Sequence, residues 1–205
     1  MLLQAVRIRC TLSKILTMRN IPLTLAPLLL SATLTAQGVF SNKTQTILEK
    51  VIQDYPNHFY NIKGELIQQT PQTAEYSSTL QLPGSSSTII ILSTDRSEGS
   101  WTCTLLDKEG FGQAREDFRQ IYEQIRNSII TASGQKTFIL SGQYEAPVED
   151  KKCTQVVFSL LPGIGEMKKL KVDLSLREEG EDWKISLSVR DSSGEEASSV
   201  VTTNR

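Results

Sequence analysis

The strongest constraint on the fold lies in the last third of the chain. In KLKVDLSL, Leu170, Val172, Leu174 and Leu176 alternate with Lys171, Asp173, Ser175 and Arg177. In DWKISLSVR, Trp183, Ile185, Leu187 and Val189 alternate with Lys184, Ser186, Ser188 and Arg190. Period-two alternation describes a strand with one buried face and one wet face. A chain containing it must bury one side of an antiparallel sheet against something else.

Two amphipathic segments are available for that purpose. In TQTILEKVIQDY, the residues Ile47, Leu48, Val51, Ile52 and Tyr55 fall at helical spacing, and Thr46 with Glu49 reads as a capping box. In FGQAREDFRQIYEQIRNSII, the residues Ala114, Phe118, Ile121, Ile125 and Ile129 line one side of a second helix. The remaining runs read as strands. HFYNIKGELI has Tyr60, Ile62 and Leu66 on one face; YSSTLQL, STIIILST and WTCTLL follow, and KTFILSGQY and CTQVVFSLL come after the second helix.

Both halves therefore read as a helix followed by four strands, and their landmarks keep one order. Gly64 precedes Pro83 by 19 residues and Gly142 precedes Pro162 by 20. Pro83 to Trp101 is 18 residues and Pro162 to Trp183 is 21. Leu-Pro-Gly separates the second and third strands of each half. Glu98-Gly99 and Glu179-Gly180 precede the tryptophans, where a hairpin wants glycine at positive φ. The expected fold is α+β: a tandem duplication of an α-β-β-β-β unit, giving an antiparallel sheet of about eight strands with two helices packed on one face. The units span residues 40–108 and 109–191, and 192–205 form a polar tail.

The start of the chain has a different character. Residues 1–36 contain Arg7, Arg9, Lys14 and Arg19 but no acid, and residues 21–32 are almost entirely apolar or small. This is the pattern of a secretory signal peptide over 1–36, with 1–17 as an upstream extension before Met18. Cleavage fits after Ala36 or Gly38. The apolar run is shorter than the roughly 20 residues of a membrane-spanning helix, so the expectation is an exported chain, periplasmic or secreted, with no transmembrane segment once cleaved. The short leader ending in Ala-Gln and the stretch DYPNHFYNIKGELI resemble small exported proteins of Bacteroidota without assigned activity. The resemblance covers about the first third of the chain. It implies a periplasmic or secreted setting and carries over no catalytic residue.

Without the leader, 18 basic and 23 acidic side chains remain, a net charge of −5. That opposes nucleic-acid binding, which needs cationic surface to replace counterions. Lys151-Lys152 and Lys168-Lys169-Lys171 have acidic neighbours and read as solvated faces. Cys103 and Cys153 read as a disulfide formed on export, or else as two buried thiols. Two cysteines 50 positions apart and one histidine make a poor zinc site.

Chemistry-bearing motifs are sparse. His58 is the sole histidine, so a histidine-dependent triad would need it, with Cys103, Cys153 or a serine as nucleophile. Glu178, Glu179, Glu181 and Asp182 form an acidic turn without the ligand spacing of a calcium loop. LPGIGE lacks the pattern of a phosphate-binding loop. Trp101 and Trp183 read as core residues rather than stacking platforms. No catalytic, metal or cofactor-binding residue is assigned. The functional expectation is a noncatalytic binding or adaptor protein with an unknown protein partner. A carrier of a small apolar molecule or lipid is the alternative, with a pocket lined by Phe118, Ile125, Leu174 and Leu187. A hydrolase using His58 is the second.

Overall fold

The structure is a computed structural model. It describes residues 42–192, except 96, 97, 109, 127, 133 and 135. The expected leader, its cleavage sites and nearly all of the expected tail lie outside the described residues.

The described chain forms helix α1 (Asn42–Asp54), strands β1 (Lys63–Gln69), β2 (Thr73–Ser78), β3 (Ser87–Ser93) and β4 (Gly99–Lys108), and helix α2 (Phe111–Arg126). Strands β5 (Ile129–Ala132), β6 (Lys136–Ser141), β7 (Cys153–Leu161), β8 (Leu170–Glu179) and β9 (Asp182–Asp191) follow. All nine strands join one antiparallel sheet in the order β1-β2-β3-β4-β9-β8-β7-β6-β5. The fold is α+β, with the antiparallel sheet that the alternating pattern calls for.

Every inward position named on β8 and β9 is buried. Leu48, Val51 and Ile52 of α1 and Ala114, Phe118, Ile121 and Ile125 of α2 join those strands in one continuous core. Trp101 and Trp183 also belong to it. Trp101 satisfies its indole by donating to Ser78 Oγ at 3.0 Å, and Trp183 packs on Phe111 with ring centroids 4.9 Å apart.

Several local expectations need correction. The second half contributes five strands, because α2 ends at Arg126 and the β-branched run Ile129-Ile130-Thr131 extends as β5. Ile129 is accordingly exposed rather than buried under the helix. Helix α1 begins at residue 42, so Thr46 lies inside it and forms no capping box with Glu49. Strand β1 begins only at Lys63, and Tyr60 and Leu66 are exposed while Ile62 is buried. Strand β2 covers Thr73–Ser78, upstream of most of the expected segment. Gly99 lies within β4 without a positive φ, whereas Gly180 turns the β8–β9 hairpin at φ 69°.

Cys103 and Cys153 are free, the first buried and the second exposed. Three inter-strand steps separate β4 from β7, about 14 Å of sheet, well beyond the reach of a disulfide. Cys103 points into the core, where Thr88 Oγ1 donates to its sulfur at 3.4 Å.

The two sheet edges are managed differently. Gln45, Glu49 and Gln53 repeat every four residues along one face of α1 and meet the backbone of edge strand β5. Gln45 donates to Ile129 O at 3.3 Å, Thr131 N–H donates to Glu49 Oε1 at 2.8 Å, and Gln53 donates to Thr131 O at 2.7 Å. Helix side chains thus occupy groups that a further strand would otherwise use. At the other edge, β1 is interrupted by two register shifts, which blunt it as a pairing template.

Candidate functional site

The helices cover the inner face of the sheet and leave the outer face to water. The outward positions at its centre are short hydroxyl residues in register. Thr102 stands opposite Ser188, Thr104 opposite Ser186, and Ser175 opposite Ser186 on the other side. Thr102 and Ser188 hydroxyls lie 2.9 Å apart, and Ser188 Oγ also donates to Trp101 O at 3.2 Å. Short side chains keep this part of the sheet low in relief.

Charge is concentrated on β8 and β9. Lys171 stands directly opposite Arg190, and Arg177 opposite Lys184. Like charges in facing positions are unfavourable, and in each facing pair one member has a carboxylate partner. Arg190 forms an ion pair through Nε with Asp173 Oδ2, Lys171 donates to Ser159 Oγ at 2.8 Å, and Lys184 pairs with Glu179 at 2.6 Å. The Arg190 pair explains why Asp173, an outward residue, is only 5% exposed.

Two clefts open at the end of β9 and share Asp191. One, of about 220 Å³, is lined by Thr73, Ile91, Ser93, Glu98, Gly99, Ser100, Arg190 and Asp191. The other, of about 180 Å³, is lined by Tyr55, Pro56, His58, Glu166, Lys169 and Asp191. Tyr55 OH donates to Asp191 Oδ2 at 2.7 Å. Burial pushes the Tyr55 hydroxyl well above its usual range, and the bond to Asp191 and its negative charge push it further.

His58 opens the segment HFYNIKGELI, expected as a strand, but lies outside β1. It caps a short 3₁₀ turn in the left-handed region, at φ 50°. Among the described residues, its cleft is lined by Tyr55, Pro56, Glu166, Lys169 and Asp191, with no serine, threonine or cysteine. The acidic turn is the tip of the β8–β9 hairpin: Glu178 pairs with Lys152 at 2.9 Å, and Glu179 with Lys184. Among the described residues there is no group of three or more His, Cys, Asp or Glu suited to holding a metal ion. Phe118, Ile125, Leu174 and Leu187 are fully buried in the core, and none of them lines either cleft. No described helix is long and apolar enough to cross a membrane.

Sequence reasoning placed the outer positions of β8 and β9 correctly but did not pair Asp173 with Arg190 or Tyr55 with Asp191. The first pair was within reach: a hairpin closed at Gly180 sets the register that brings them together. The second depends on where α1 ends, and no local pattern carries that. No protein-family profile, curated protein or solved structure matches the chain.

Proposed function

We propose that the protein is an exported, noncatalytic binding or adaptor protein whose working surface is the outer face of the sheet. The observation that carries this reading is the hydroxyl-lined centre formed by β4, β9 and β8, with the 220 Å³ cleft at the end of β9 beside it. A low-relief surface with fixed ion pairs suits recognition of a partner's polar groups. The basic, acid-free start of the chain supports export, and its likeness to small exported Bacteroidota proteins fits that setting.

The architecture of this surface is read as an internal duplication. The four-strand run β1–β4 and the run β6–β9 meet through their last strands. Their pairing centres near Thr104–Ser186, a separation of 82 residues, the same as Trp101 to Trp183. The glycines correspond as well. A β-carbon on Gly64 would lie 2.4 Å from Ser77 Oγ on β2, and one on Gly142 would lie 2.9 Å from Val157 O on β7. Each excludes a side chain against the second strand of its run.

The test is native mass spectrometry of the protein purified from its own exported compartment, alongside Ser100→Trp and Ser188→Arg variants. The wild type is expected to start after Ala36 or Gly38 and to retain a bound partner or ligand mass that both variants lose. Retention of the same mass by folded variants would move the working surface elsewhere. A chain that keeps its leader and stays inside the cell would end the exported reading.

A further inference from the structure

The end of the outer face formed by β5, β6 and β7 differs from the hydroxyl-lined centre. Ile129 on β5 stands directly opposite Ile139 on β6, and Ile139 directly opposite Leu161 on β7. All three are more than half exposed, at 55%, 52% and 51%. Their chain neighbours Ile130, Phe138, Leu140 and Leu160 are the buried ones. The row is therefore not an overflow of the core but a line of aliphatic side chains on the water side of the sheet. Ile164, in the loop after β7, adds a fourth at 40% exposure.

No charged residue shares the outward positions of these three strands; Thr131, Thr137, Ser141, Gln155, Val157 and Ser159 supply most of the rest. Charge begins at the border. Lys171 of β8 faces Ser159 and donates to it, while Asp173 faces Val157 with its charge paired to Arg190. Lys168 folds back on the loop, its Cγ lying 3.6 Å from where a β-carbon on Gly163 would sit. Residues 162–171 carry Lys168, Lys169 and Lys171 against Glu166 alone.

An uncharged surface with exposed aliphatic side chains, rimmed on one side by lysines, is complementary to an anionic bilayer. The aliphatic row suits the boundary of the acyl chains, and the lysines suit the headgroup phosphates. A second copy of the chain fits less well. Four half-exposed aliphatic side chains fall far short of the roughly 800 Å² per partner of a stable protein interface. We infer that the outer face of β5–β7 docks on the surface of an anionic lipid bilayer, with Ile129, Ile139 and Leu161 entering the interface and Lys168 and Lys171 contacting phosphates. This inference does not rest on the binding role of the sheet centre.

The experiment is co-sedimentation of the purified protein with phosphatidylglycerol-containing vesicles and with pure phosphatidylcholine vesicles. Binding is expected to the anionic vesicles and to be about tenfold weaker or more to the neutral ones. The triple change Ile129→Ser, Ile139→Ser and Leu161→Ser is expected to abolish it. The pair Lys168→Gln and Lys171→Gln is expected to weaken it and to reduce its salt sensitivity. Thermal unfolding checks that each variant folds. Ile139→Trp gives an independent readout: its fluorescence should be quenched by brominated lipid in anionic vesicles. No sedimentation of the wild type, full binding by the folded triple variant, or an unquenched Trp would overturn the inference. So would a wild-type dimer that the triple variant turns into a monomer, since the row would then be a protein interface.

Discussion

The phenol of Tyr55 and the carboxylate of Asp191 tie the end of α1 to the last strand, and this contact has a pH signature. The ordinary value for a tyrosine is 10.0, and burial first, then the bond and negative charge of Asp191, raise it in the folded chain. A raised folded value means that the contribution is complete below about pH 10 and is lost as the pH climbs beyond it. Tyr55→Phe should cost about 1 kcal/mol at neutral pH and flatten the alkaline decline. Urea unfolding at neutral pH and at about pH 10.5 checks both effects; an unchanged decline would contradict the assignment. Arg190 makes a sharper case. Arg190→Leu leaves Asp173 with too little compensation and should destabilise by about 3 kcal/mol, while adding Asp173→Leu should recover part of the loss. The cysteines give a chemical check. Cys153 should react with a thiol reagent in the native protein, and Cys103 only after unfolding.

Among the elements, strands β8 and β9 were fully legible because alternation there is unbroken over both. Helix α2 was legible except at its end. Ile125 and Ile129 are four apart, so periodicity alone carries the stripe past the true stop at Arg126. The start of α1 was invisible because residues 42–46 hold no apolar residue to mark a face. The role of Glu49 was read locally, as a cap, when its partner is 82 positions away on β5. That contact makes a prediction at this scale. Glu49→Ala removes the acceptor for Thr131 N–H, so exchange of that amide should accelerate while amides of β8 and β9 stay protected. Packing predicts larger effects. Ile125→Ala or Leu174→Ala should cost about 2–5 kcal/mol, measured as a shift in denaturation midpoint. An unchanged midpoint in both would contradict their inward placement.

For the whole molecule, the sequence carried the class of fold and the polarity of its two faces, since both follow from side-chain period. It did not carry the disulfide question, because strand order rather than sequence distance sets the separation of Cys103 and Cys153. Nor did it show the aliphatic row, whose three members come from three strands and line up only through register. The central claim is that the outer sheet face makes the functional contact. Its most direct test is photocrosslinking in the native host, with a benzophenone side chain placed either at Ser186 on the outer face or at Gln120 on the exposed side of α2. The account predicts a discrete adduct from Ser186 and none from Gln120. Adducts from Gln120 alone, or the same adducts from both, would contradict it.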